Sequence, residues 1–359
     1  MKTELTSLDL YFLTKELQVL VGSRVDKIYQ PDGFLLQLHK TGLGKVLLRI
    51  EKNAVWMTAT KNEAPETPSG LCGLLRKYLE GKKLVSLEQV NGERILKLTF
   101  KTTTDTFYLY IELFSNGNII LSGEADIVKA AQEERAWKDR AIKRGLPYKL
   151  PPAKKNFTTL AVADLDTADP IAKHLATLGL GKAYGEELCS RTRTNPTAAK
   201  IPVGERQKLV DALHALLAEK LAPHAYSDGE ITPFALHGKD GTGYETFSLA
   251  IDANLSKSNA LLKLEKARAK FDKEKERIQN AIDLQKKGLV RVEQDAAKNQ
   301  HIGETIYHHY QELRIILDEL NSAKKKYSLQ DIALKLKEHA VIKHVNPKTH
   351  EVTVEIGHE

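Results

Sequence analysis

A chain of 359 residues with 42% hydrophobic content is long enough for two or more domains with real cores. Its 54 Lys and Arg against 47 Asp and Glu leave a formal charge of +7, which leans towards a polyanionic partner. Two distant cysteines, Cys72 and Cys189, argue against a disulfide framework or a cysteine metal site, no apolar run approaches the ~20 residues of a membrane helix, and the start lacks a signal-peptide core, so a cytoplasmic protein is expected.

Thr6 and Ser7 offer a helix cap, and Leu10, Leu13, Leu17 and Leu20 follow at helical spacing. Asp9 falls in the first turn, where a carboxylate complements the helix dipole. Gly22 ends the helix. Short strands are expected at 25–29, 34–39, 45–50 and 54–60, with turns at Pro31-Asp32-Gly33 and at 42–44. A Pro-rich loop at 63–69 leads on.

Residues 71–121 organise the rest. Leu74, Leu75 and Leu79 share one face of a helix and Arg76-Lys77 another, until Gly81 stops it. Leu84, Ser86, Glu88 and Val90 then alternate as a strand, and Asn91-Gly92 is a hairpin signal. Glu93 and Arg94 stand on the hairpin tip. Ile95, Leu98 and Phe100 resume the sheet, 107–114 adds a strand, Asn116-Gly117 turns, and 118–121 returns. Two readings of Glu93-Arg94 stand side by side: a solvated turn pair worth little, or a polar contact held rigidly at a sheet end. Leu74, Leu79, Ile95, Leu98, Leu113 and Ile120 are expected in the core.

Residues 126–143 read as a polar helix whose cations, Lys138, Arg140, Lys143 and Arg144, form a face that either touches phosphate or, the preferred reading, is simply solvated. Residues 149–159, with Pro151-Pro152, read as a linker, and 160–225 as a small helical region. There Leu178-Gly179-Leu180-Gly181 suits the turn of a helix-hairpin-helix, which holds phosphate through free N–H groups of Gly179 and Gly181 and the helix start at Lys182; an ordinary helical turn fits equally well. A last helix is expected at 209–221, ended by Pro223, and Gly-rich short strands at 230–247. Leu264, Phe271, Ile278 and Val292, then Ile306, Leu313, Leu320 and Tyr327, follow a seven-residue period, which is coiled-coil spacing. Ser328 caps a helix to 337, and 343–356 reads as a hairpin. No phosphate loop, zinc spacing or nucleophile elbow stands out, and His308-His309 point apart on a helix. No enzyme, cofactor or small-molecule substrate is expected.

Gln89-Val-Asn-Gly-Glu-Arg-Ile, Arg76-Lys-Tyr-Leu-Glu-Gly and Glu112-Leu-Phe-Ser-Asn-Gly-Asn-Ile-Ile-Leu together resemble the amino-terminal domain of the NFACT family, the ribosome-quality-control tailing factors. Asp9 with Glu16-Leu17, the run Gly22–Gln30, Trp137-Lys-Asp-Arg, Arg144-Gly-Leu-Pro-Tyr and Pro151-Pro152 extend the likeness. The resemblance implies an α+β fold: a glycosylase-like antiparallel β-sandwich with flanking helices, a helix-hairpin-helix domain, and a projecting coiled coil with a small tip domain. Domains would be 1–159 with a return segment at 226–255, then 160–225, 256–327 and the start of a middle domain at 328–359. The chain reads as a fragment without the returning coiled-coil strand and carboxy-terminal RNA-binding domain of the family.

By the same resemblance, the partners would be the large ribosomal subunit, rRNA and tRNA. The protein would bind subunits obstructed by a stalled nascent chain and support carboxy-terminal tailing without mRNA. Asp9, Glu93 and Arg94 are implied as tRNA contacts, with Arg76, Lys77, Gly179, Gly181 and Lys182 as further phosphate contacts. The family usually has Asp-Arg where this chain has Glu93-Arg94. The alternative is a DNA-binding or repair-like protein of the glycosylase-related fold. It lacks the amino-terminal proline nucleophile of those enzymes, since the chain begins Met-Lys-Thr-Glu.

Overall fold

Helix α1 (Ser7–Leu17) starts on a reciprocal cap: Thr6 Oγ1 accepts from the Asp9 N–H, and Asp9 Oδ2 accepts from the Thr6 N–H. Two donors that a helix start leaves open are thereby satisfied. The computed structural model describes residues 2–61, 67–336 and 339–356. It divides into two units, Met1–Leu264 and Glu265–Glu359. Among the described residues no helix is long and apolar enough to cross a membrane.

The first unit is built on β1 (Arg24–Tyr29), β2 (Phe34–Lys40), β3 (Gly44–Ile50), β4 (Val55–Thr58), helix α2 (Gly70–Leu79), and then β5 (Lys83–Gln89), β6 (Ile95–Lys101), β7 (Thr106–Glu112), β8 (Asn118–Ser122) and β9 (Val128–Ala131). Of the loop expected at 63–69, residues 63–66 lie outside the described residues. The strands form one antiparallel sheet in the order β4-β3-β2-β1-β5-β6-β7-β8-β9. Instead of two separate sandwich sheets there are two meanders joined at β1–β5, where Arg24 faces Lys83. Bulges in both strands, at Val25/Lys27 and Leu84/Ser86, flank the join. Bulges sharpen twist, which lets the meanders share one core.

That core takes Leu36 and Leu48 from one meander, Leu98, Leu109 and Leu121 from the other, and Leu10, Leu13, Leu17, Leu75 and Leu79 from the helices. A second cluster, with Ile95, Tyr110, Ile120, Val128, Ile142 and Tyr148, fills the opposite face of β6–β9. Strands covered on both faces lose strict alternation and read as apolar runs, as Asn118-Ile-Ile-Leu-Ser does with all five residues buried. Of the expected core set, Leu79, Ile95, Leu98, Leu113 and Ile120 are buried, and Leu74 packs half-buried against the core.

The helix expected at 126–143 is not formed. Residues there make β9 and a two-residue ribbon, β10 (Arg135–Ala136) with β11 (Ala141–Ile142). Val128 and Ala130 bury alternate positions of β9, a period that the surrounding charges obscured. Arg140 is not on a solvated face either. It is buried, its Nη2 donates to Glu112 Oε1, and Tyr148 donates to the same oxygen at 2.8 Å.

The helical part follows as α3 (Ile171–Leu175), α4 (Lys182–Thr192) and α5 (Val203–Ala218). Its core also includes Leu8 and Phe12, so α1 serves both cores from different faces. Helix α5 starts earlier than the expected 209. Short strands β12 (His224–Ala225), β13 (Ile231–Thr232) and β14 (Thr242–Gly243) form a separate small sheet that brings the chain back beside its start, where the Lys2 N–H donates to Gly229 O at 2.9 Å. Cys72 and Cys189 are buried and free, and burial pushes the Cys189 thiol up to about 11.

Helix α6 (Phe247–His308) runs from the first unit into the second, which continues with α7 (Tyr310–Lys324), α8 (Leu329–Lys335), β15 (Ile342–Asn346) and β16 (Glu351–Val354). His309 breaks the helix at φ −99°, ψ 22°, so His308 and His309 straddle a junction. The seven-residue period yields helices, on which Phe271, Ile278, Val292 and Ile306 stand exposed. A heptad seam is buried only against a second helix. Ser328 caps α8 through the Asp331 N–H; position 337, the expected end, lies outside the described residues.

Candidate nucleic-acid interface

The hairpin closes with the Val90 N–H donating to Ile95 O at 2.9 Å, and its tip opens on a tight turn with Asn91 at φ 52° and Gly92 at 65°. Asn and Gly tolerate positive φ best. The Glu93 N–H closes the turn on Val90 O at 2.9 Å. The tip is then pinned from outside. Asn156 Nδ2 donates to Asn91 O at 2.7 Å, and Gln89 Nε2 donates to Ser7 O at 2.8 Å and Glu93 O at 2.9 Å. A Cβ on Gly92 would lie 2.7 Å from Asn156 Oδ1, so the close approach requires glycine as well. These contacts hold the backbone of the turn rather than the Glu93 and Arg94 side chains. Arg94 Nη1 donates to Glu4 Oε2 at 3.0 Å, with the Arg94 side chain 28% exposed.

The turn between α3 and α4 approaches the same place. Gly179 and Gly181 have φ of 89° and 86°. A Cβ on Gly181 would meet Thr6 Cγ2 at 2.6 Å, and one on Gly179 would meet Ser7 at 3.1 Å. Both glycines therefore seat the turn on the start of α1. The Gly181 N–H is not free for phosphate: it donates to Ala176 O at 3.2 Å. A groove of ≈ 330 Å³ results, lined by Glu4 and Thr6, Glu93 and Arg94, Lys154 and Lys155, and the Leu178–Gly181 turn. Lys155 also pairs with Asp164 at 2.8 Å.

The other candidate residues part company here. Lys182 opens α4 beside the turn, 88% exposed, with only a loose 3.9 Å pairing to Glu186. Arg76 and Lys77 do not line the groove. Arg76 Nε is engaged by Ile28 O at 2.8 Å, tying α2 to β1.

Asp9 is not at the surface at all; its side chain is 0% exposed. Lys2 Nζ reaches Asp9 Oδ1 at 3.0 Å, Glu230 Oε1 at 2.8 Å and Ile231 O at 2.7 Å, and the Tyr184 hydroxyl donates to Asp9 Oδ1. Burial acts against the Lys2 charge, yet the Asp9 and Glu230 carboxylates outweigh it and raise its pKa. Burial, then the Asp9 charge, push the Tyr184 phenol well above its usual value. Lys2, Tyr184 and Glu230 carry no local sequence signal, and neither do Asn156 and Lys154, which sit in an apparent linker. Among the described residues no group of three or more His, Cys, Asp or Glu is placed to hold a metal.

The model of the NFACT N-terminal and middle domains matches residues 6–353. The chain is 28% identical over its whole length to the archaeal Rqc2 homolog aRqcH of Methanocaldococcus jannaschii, and spans 59% of that protein. It is 38% identical over 138 residues to ribosome quality control complex subunit 2 of Saccharomyces cerevisiae, covering 37% of this chain and 13% of the yeast protein. With the Rqc2 homolog RqcH of Bacillus subtilis it shares 30% identity over 182 residues, 46% of this chain and 31% of the other. The solved amino-terminal part of the fibronectin/fibrinogen-binding protein from Streptococcus suis has a similar fold, with a TM-score of 0.59 at 20% identity over 69% of this chain and 98% of that one. A family model that takes in the hairpin tip, the glycine turn, the long helix and most of the final hairpin leaves one assignment: the chain belongs to the NFACT family.

Proposed function

We propose that this chain is the tRNA- and ribosome-engaging part of a ribosome quality control factor. In this reading it binds obstructed large ribosomal subunits, contacts rRNA, and positions tRNA so that a stalled nascent chain is extended without mRNA. Relatives named for ribosome quality control support the broad reading. The observation that carries the finer one is the groove, where the Glu93-Arg94 pair beside a pinned turn and the Leu178–Gly181 turn converge. Arg94 offers a planar fork suited to phosphate or base edges. A carboxylate does not pair with phosphate, so Glu93 accepts from base or ribose donors. Lys154 and the exposed Lys182 add sequence-independent attraction. Peptide transfer belongs to the ribosome, so the chain needs no nucleophile of its own.

The test compares tRNA, large ribosomal subunits and duplex DNA at fixed salt, for wild type and Arg94→Ala. Arg94→Ala is expected to weaken tRNA binding by roughly 1–3 kcal/mol, the range for a hydrogen bond to a charged group, and to lower the salt slope by about one contact. Subunit binding should persist. Wild-type binding to duplex DNA as tight as to tRNA would instead favour the repair-like alternative.

A further inference from the structure

We infer that Asp9 serves the groove from behind, as the positioning residue of a buried clamp with Lys2, Tyr184 and Glu230, and does not itself touch RNA. The inference rests on the tRNA reading above and changes the role that family likeness gives Asp9.

Both Asp9 oxygens are occupied. Oδ1 accepts from Lys2 Nζ and the Tyr184 hydroxyl; Oδ2 accepts from the Thr6 N–H at 2.7 Å and lies 2.9 Å from Lys2 Nζ. The Lys2 ammonium spends its remaining donors on Glu230 Oε1 and Ile231 O. An ammonium has three donors and no acceptor, so this set is full. To reach RNA, Asp9 would have to abandon a buried cation and a buried phenol, each of which is costly to leave unmatched.

The clamp grips the groove at two places. Through the Thr6 N–H it fixes one lining residue directly. Through Tyr184, in the first turn of α4, it holds the start of that helix, and with it the Leu178–Gly181 turn that packs on Thr6 and Ser7. Through Lys2 it also anchors the chain just before Glu4, the partner of Arg94. One carboxylate thus sets the distance between the turn and the segment that carries Glu4, the partner of Arg94. Buried polar networks of this kind fix geometry when every member is satisfied.

Tyr184→Phe removes one hydroxyl and keeps the ring, which packs 5.4 Å from Phe234. It is expected to fold. Amide hydrogen exchange at residues 178–181 should quicken several-fold, and tRNA affinity should fall about three- to ten-fold, the equivalent of one hydrogen bond. The salt slope should stay at its wild-type value, since no phosphate contact is lost, whereas Arg94→Ala lowers it. Asp9→Asn should show the same exchange signature more strongly. Wild-type exchange at 178–181 in both variants would overturn the clamp. So would an Asp9→Asn that weakens tRNA binding while Tyr184→Phe binds normally, because that pattern marks a direct contact. If wild type itself fails to bind tRNA, the functional reading falls, and the exchange measurement still judges the clamp.

Discussion

Helices α1 and α6 both carry apolar residues at helical spacing, and the two have different surroundings. On α1, Leu10, Leu13 and Leu17 are fully buried beneath the sheet, while Leu8 and Phe12 enter the helical core. On α6, Phe271 is 68% exposed and Ile278 and Val292 are exposed with it. Spacing declares that a face exists; it does not say what covers it. In the first unit the cover comes from strands whose own apolar residues lie far away in sequence. The polar groups follow the same division. Around α1 they are buried in mutual contacts, whereas on α6 pairs such as Arg277–Glu274, at 3.4 Å, lie in solvent.

The sharpest way to break this comparison is to truncate one residue in each helix. Leu13→Ala should destabilise the first unit by about 2–5 kcal/mol, through lost burial and the cavity left behind. Phe271→Ala should stay within about 0.5 kcal/mol, since an exposed side chain has little packing to lose. In chemical denaturation the buried Trp56 of β4 reports the first unit, and helical circular dichroism follows α6. Equal losses in the two variants would mean that the α6 stripe is covered in solution.

Much of the first unit was legible because its signals are local. The cap at Thr6, the strands of the two meanders and the Asn91-Gly92 turn each declare themselves within a few residues. The stretch 126–143 was not legible. Its strands are two to four residues long, too short for a period to emerge from the charges around them. The site was half legible. Glu93, Arg94, Gly179 and Gly181 stand out as motifs, but nothing local says that they line one groove. The clamp was invisible for the same reason: Tyr184 lies 175 residues from Asp9, and Glu230 lies 228 from Lys2. Arg76 and Lys77 lie apart from that groove, and Arg76 Nε donates to Ile28 O, tying α2 to β1.

Alkaline pH sharpens the contrast between the units. The folded pKa of Tyr184 is raised by burial and by Asp9. That of Lys2 is raised because Asp9 and Glu230 outweigh the downward pull of burial. In both, the native chain holds its proton more tightly than the unfolded chain does. The stabilisation is complete below the unfolded values of about 10 and drains as pH rises through and above them. The first unit should therefore lose stability above about pH 10, by up to about 1.4 kcal/mol per pH unit for each group. Tyr184→Phe should flatten that slope. An unchanged slope in the variant would remove Tyr184 as a contributor.

The smallest effect tests whether a surface pair in the first unit differs from one on α6. Glu4–Arg94 and Glu274–Arg277 are both single contacts between half-exposed or exposed groups. Such pairs contribute about 0.2–1 kcal/mol at most, so Glu4→Gln and Glu274→Gln should each leave the melting temperature almost unmoved. Their effects on tRNA should separate. Glu4 holds the guanidinium that a phosphate would need, so binding must displace it. Removing the Glu4 charge takes away both a competitor and a repulsion inside the groove. Glu4→Gln should therefore tighten tRNA binding by about two- to five-fold, the equivalent of that pair energy. In an Arg94→Ala background most of the gain should vanish, since the two side chains act on one another. Glu274→Gln should change neither quantity. If Glu4→Gln weakens binding instead, then Glu4 orients Arg94 towards its ligand, and the pair is part of the docking geometry.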